Sequence, residues 1–204
     1  DENTGKVATG SQACQAFPLW LGIIPKEYKK KAAAVLCEDL LKNKYKVTTG
    51  NLCSRYIYDA LTESGHIDEA WEIITGEEYP SLGFMIQNEA TTIWERYELK
   101  KNPGMNSHNH PMYGAVDYWF YAYLCGLKPT SPGWKTFTVK PYFPKKLLSA
   151  HARVETPMGS IVVKWLKQYG KTQLYVTVPF GTAATVEFGD NTYQLTCGFY
   201  NFSI

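Results

Sequence analysis

The hydrophobic period of this chain changes once, near Lys128, and that change governs what it can fold into. From Ser11 to Leu127 the apolar residues recur at the i, i+3, i+4 spacing of a one-sided helix. Pro25 suits a first helical position, Glu27 the positive end of the helix dipole, and Ala32, Val35, Leu36 and Leu40 form one stripe behind them. A second helix is predicted from Asn51 through Leu52, Tyr56, Ala60 and Leu61 to Gly65, and a third from a cap at Asp68 to Gly76; the two make a hairpin. A last one follows Gly114, carries Trp119, Phe120 and Tyr123 on its apolar face, and stops at Gly126. After Lys128 the period becomes two: Phe137 and Val139; Ala152 and Val154; Ile161, Val163 and Trp165; Leu174, Val176 and Val178. Pro157 with Gly159, and Gly170, mark hairpin turns, and Pro132-Gly133 lies in the connector. The expected architecture is therefore helices over 1–127 and an antiparallel β-sandwich over 128–204.

The same sequence excludes several function classes. With 21 basic and 19 acidic residues the net charge is +2, which gives no electrostatic pull toward nucleic acid or an anionic membrane. No apolar run approaches the ~20 residues that span a bilayer. Five cysteines, at 14, 37, 53, 125 and 197, cannot all pair and match no zinc or redox spacing; buried thiols are expected, and they indicate no compartment. Asp1 is no initiator and no targeting pattern follows it, so a piece of a longer protein is expected.

Between the third and last predicted helices, residues 79–111 form a stretch far longer than the ~2–8 residues usual between helices. It holds Gln87-Asn88-Glu89-Ala90-Thr91-Thr92-Ile93-Trp94-Glu95-Arg96-Tyr97 and then Asn106-Ser107-His108-Asn109-His110. Carboxylates, an indole and imidazoles close together are the inventory of glycoside hydrolysis, which needs one carboxylate for water, a second acid for the leaving oxygen and flat surfaces for the ring. Each residue also has a plainer reading. Glu95 can pair with Arg96, and Trp94 can be core. Glu89 and Asp117 are possible second carboxylates, or a loop rim residue and a first-turn helix charge. His108 and His110, two apart, point to opposite faces of an extended segment, so no metal site and no cofactor is expected.

Several consecutive blocks resemble the C-terminal part of the α-L-rhamnosidase family: Thr48-Thr49-Gly50-Asn51, Gly65-His66-Ile67-Asp68-Glu69-Ala70, Tyr79-Pro80-Ser81-Leu82-Gly83-Phe84-Met85-Ile86, Ala90-Thr91-Thr92-Ile93-Trp94-Glu95-Arg96, and Asn109-His110-Pro111-Met112-Tyr113-Gly114-Ala115-Val116. The resemblance runs the length of the chain. It implies part of an (α/α)6 toroid, about five helices here, followed by a β-sandwich. It also implies an inverting mechanism on terminal α-L-rhamnose, with Glu95 as general base. Trp94 and His110 would line the rhamnose pocket, and the general acid would lie on helices outside this chain. The implied partners are a rhamnose-containing glycoside and the preceding part of the parent chain. By itself the piece is expected to be inactive and, with apolar stripes uncovered, either to self-associate or to leave its first residues disordered. Departures from the family pattern are Glu89 where Gly is common, Cys53 in a segment often richer in Gly, and His108 in place of an apolar residue. The competing readings are a noncatalytic carbohydrate-binding module, a scaffold, and another toroidal sugar enzyme.

Overall fold

The computed structural model describes residues 1–99 and 107–204, which divide into two compact units, Asp1–Asp117 and Tyr118–Ile204.

The first unit is helical. Helix α1 (Gln12–Leu21) starts where the Ser11 hydroxyl accepts the Cys14 N–H and stops at Gly22, whose φ of 68° is the left-handed conformation of a helix end. Helix α2 (Lys26–Lys42) has Pro25 as its cap, one position earlier than the first-turn role read from the sequence. Helices α3 (Asn51–Glu63) and α4 (Ile67–Ile74) form the predicted hairpin, with His66 in the cap position and Asp68 inside the first turn. Helix α1 packs on α2 and α3, and α3 on α4. Their shared interior is built from Ala16, Leu36, Leu40, Ile57, Leu61 and Ala70, the stripe residues of each helix. Two glutamines are sealed in it without loss of hydrogen bonding. Gln12 donates to Asp39 and to the Lys46 carbonyl and accepts from Thr48 N–H at 2.9 Å. Gln15 donates to the Gly5 carbonyl at 3.0 Å and the Ala32 carbonyl at 2.9 Å and accepts from Val7 N–H at 2.6 Å. Helix α5 (Leu82–Gln87) lies inside the stretch that the sequence presents as a loop; Ser81 caps it by accepting the Phe84 N–H at 2.9 Å. The last helical segment is composite and continues past the end of this unit: a 3-10 turn over Pro111–Ala115, helix α6 (Val116–Trp119), and, within the second unit, a π turn over Phe120–Leu124.

The second unit consists of two four-stranded sheets. Strands β1 (Leu127–Pro129), β2 (Thr136–Val139), β6 (Ala183–Phe188) and β7 (Asn191–Leu195) form one, in the order β1-β2-β6-β7. Strands β3 (Ser149–Thr156), β4 (Gly159–Gln168), β5 (Lys171–Val178) and β8 (Gly198–Ser203) form the other, in the order β3-β4-β5-β8. Every ladder is antiparallel except β2 with β6, which is parallel. The predicted period-two residues turn inward: Phe137, Val139, Ala152, Ile161, Val163, Trp165, Leu174, Val176 and Val178 are buried and Val154 is half-buried against them, joined by Ala184, Val186 and Phe188 of β6. The Trp165 indole N–H donates to the Leu124 carbonyl at 2.6 Å, so the one polar atom of that ring is satisfied inside the core.

The expectation of buried thiols needs correcting. Cys53 and Cys125 are buried, but Cys14 and Cys37 are half-buried and Cys197 is exposed, and none of the five is in a disulfide. Burial pushes the Cys125 thiol up to about 12, whereas hydrogen bonds from Ser11 and Thr9 hold Cys14 below its ordinary value.

Candidate active-site segment

The residues singled out in the sequence lie on two stretches that run side by side. The Ile93 carbonyl accepts the His110 N–H at 2.7 Å, and the Glu95 N–H donates to the Ser107 carbonyl at 2.9 Å. The Thr92 hydroxyl donates to the His108 carbonyl. This pairing brings Trp94, Glu95, His108 and His110 into one locality although they are far apart in sequence. Asn106, at the head of the second stretch, lies outside the described residues.

Glu95 is half-buried, and its Oε2 accepts the Ser107 N–H at 2.9 Å. A backbone donor on one carboxylate oxygen fixes the rotation of the group without neutralising it, because a backbone amide carries no net charge. Such a carboxylate can take a proton from water. Trp94 is 3% exposed, and its ring stacks on His108 with centroids 5.2 Å apart and planes 29° from parallel. The indole is thus the floor of the segment and the exposed His108 imidazole its covering. His110 is half-buried, immediately before the 3-10 turn at Pro111.

Glu89 and Asp117 are both exposed. Glu89 follows α5 with φ of 62°, a conformation that costs a non-glycine residue about 1–2 kcal/mol and explains why glycine suits this place. Asp117 lies in the first turn of α6. Two surface cavities are lined by other groups, one by Val7, Pro18, Ile24 and Tyr28, the other by Lys44, Tyr45, Glu72 and Ser81. Among the described residues, the group with metal-ligand chemistry is Cys37, His66 and Glu69, on α2 and at the start of α4 rather than in this segment.

Sequence reasoning missed what supports the segment. Tyr97, two residues after Glu95, is buried, hydrogen-bonds to Tyr58 of α3, and meets the Tyr113 ring at 4.4 Å. Burial raises all three phenols, so the cluster stays neutral through the physiological range. The available signal was the position of Tyr58 on the Ser54, Ile57, Tyr58, Leu61 stripe, whose members are all buried.

A helical unit followed by a two-sheet unit is the domain order of the six-hairpin glycosidase class whose family models match this chain. The model of the bacterial alpha-L-rhamnosidase 6 hairpin glycosidase domain matches residues 2–124, and that of the bacterial alpha-L-rhamnosidase C-terminal domain matches residues 126–198. The chain belongs to the α-L-rhamnosidase family. It is 36% identical over 180 residues to an alpha-L-rhamnosidase of Alteromonas sp. (strain LOR), covering 85% of this chain and 20% of that protein. The Aspergillus terreus alpha-L-rhamnosidase structure is similar with a TM-score of 0.92 at 28% identity, over 98% of this chain and 25% of that one. The Streptomyces avermitilis enzyme, solved in complex with L-rhamnose, gives 0.88 at 25% identity over 99% and 23%. This chain therefore spans between a fifth and a quarter of the length of these relatives.

Proposed function

We propose that the protein carrying this chain removes terminal α-L-rhamnose from a glycoside with inversion, and that Glu95 is its general base. The carboxylate draws a proton from a water, the water attacks the anomeric carbon, and an acid from outside these residues protonates the leaving oxygen. Trp94 and His110 form the wall of the sugar pocket, the indole from beneath His108 and the His110 imidazole toward sugar hydroxyls. The observation that carries this reading is the Ser107 N–H donated to Glu95 Oε2 at 2.9 Å, which orients a half-buried carboxylate. Inversion calls for roughly 6.5–9.5 Å between Glu95 and the acid, enough for the attacking water.

The test is Glu95→Gln in the intact protein. The amide keeps the shape and cannot take the proton, so kcat should fall about 10²–10⁴-fold with KM little changed. Undiminished turnover rejects the assignment, and a product released first as the α-anomer rejects inversion. The 204 residues alone should hydrolyse no aryl rhamnoside and should scatter light above monomer mass. Leu21, Ile23, Leu41, Leu52 and Ile86, each more than half exposed, are the apolar surface for that association.

A further inference from the structure

Away from the Glu95 segment, the α2 and α4 helices bring together three side chains that sequence spacing did not connect. Cys37 is on α2, His66 occupies the cap position of α4, and Glu69 is in its first turn. One ligand-type atom from each, the Cys37 Sγ, a His66 ring nitrogen and a Glu69 carboxylate oxygen, lies within 4.8 Å of the other two. The His66 Nδ1 to Glu69 Oε1 distance is 3.4 Å. Ligands at ~2.0–2.1 Å from a tetrahedral zinc stand roughly 3.3–3.4 Å apart, and a thiolate at ~2.3 Å stands roughly 3.6 Å from either of them. The His66–Glu69 separation matches one edge of that tetrahedron, and from at most 4.8 Å the Cys37 sulfur needs to close by no more than about 1.2 Å to match its edges to these two.

Two further features fit a cation better than a helix cap. His66 makes no capping hydrogen bond, so the ordinary work of a residue at that position is not what its imidazole does. The His66 and Glu69 side chains are 32% and 29% exposed, which leaves solvent access for a fourth ligand.

We propose that Cys37 Sγ, His66 Nδ1 and the Glu69 carboxylate bind one zinc-class divalent cation, with water completing the tetrahedron. The sulfur selects a borderline-soft ion over magnesium or calcium. On binding, the metal–sulfur bond forms as the S–H bond breaks, the proton passes to solvent, and no electron is transferred. The ion staples α2 to the α3–α4 hairpin; it has no part in hydrolysis at Glu95.

The experiment uses the intact protein, reduced and stripped of metal with chelator, and Co2+ as the probe. One equivalent should produce a sulfur-to-cobalt charge-transfer band that Zn2+ abolishes and that Cys37→Ser and His66→Gln each remove. In the unmodified protein, mass mapping of alkylated thiols should show Zn2+ slowing Cys37 modification by ~10-fold or more while leaving exposed Cys197 unchanged, because a metal-bound thiolate is a poor nucleophile. This second readout needs no variant to fold. Cobalt binding without the Cys37-dependent band, or Cys37 alkylation at the same rate with and without Zn2+, overturns the site and leaves an ordinary His66–Glu69 side-chain contact.

Discussion

At the scale of single residues, the structure depends on polar groups whose importance no hydropathy pattern reveals. Gln15 is fully buried, and its amide satisfies Val7 N–H and the Gly5 and Ala32 carbonyls at once, tying the first residues to α1 and α2. Gln15→Ala should lower stability by about 2–4 kcal/mol, since each buried group left without a partner costs ~1–3 kcal/mol. Urea titration checks this: the midpoint should fall with the slope unchanged. The sequence singles out Glu95 through a block that resembles a family pattern. Its restraint by Ser107 was not legible there, because that bond joins residues twelve apart through backbone geometry. Burial of Trp94 follows from the ordinary behaviour of tryptophan, but the His108 ring over it follows from no spacing rule.

At the scale of elements, strongly periodic segments were readable and short ones were not. Helices α2, α3 and α4 carry Leu36, Ile57, Leu61 and Ala70 at helical spacing, and β4 and β5 alternate through Val163, Trp165, Leu174 and Val176. Strands β1, β6, β7 and β8 escaped notice: β6 is Ala-Ala-Thr-Val-Glu-Phe, where small Ala184 stands at an inward position, and β7 has one buried residue, Leu195. Helix α5 is only six residues long and lies among Gly, Pro, Asn and Ser, so loop composition masked it. It packs so closely on the end of α4 that a Cβ at Gly83 would fall 2.3 Å from the Gly76 carbonyl oxygen. Gly83→Ala should therefore destabilise the protein, although alanine is favoured over glycine in a helix by about 1 kcal/mol. The opposing atom is backbone and cannot step aside as a side-chain tip would. A thermal melt shows the outcome: a lower midpoint supports the close approach, and a higher one contradicts it.

At the scale of the whole molecule, the helical and β-sheet units each have their own interior, and residues 118–126 matter to the second. The Leu124 carbonyl accepts the Trp165 indole N–H, the Tyr123 carbonyl accepts the Tyr142 N–H at 2.9 Å, and the Gly126 carbonyl accepts the Lys140 N–H at 3.0 Å. A piece spanning residues 118–204 should unfold in one cooperative step. A piece beginning at Lys128, where the hydrophobic period changes, should be less stable by at least about 1–3 kcal/mol, because the buried indole N–H loses its acceptor. Paired denaturant titrations decide between the two starting points, and equal midpoints would mean that these residues contribute nothing.

The chain visits the sheets alternately: β1 and β2 in the first, β3 to β5 in the second, β6 and β7 back in the first, and β8 in the second again. Parallel pairing of β2 with β6 joins Phe137 to Ala184, so the first sheet stays unfinished until the three-stranded meander has been made. Long-range closure of β2 against β6 therefore comes late, after the local pairings of β3, β4 and β5.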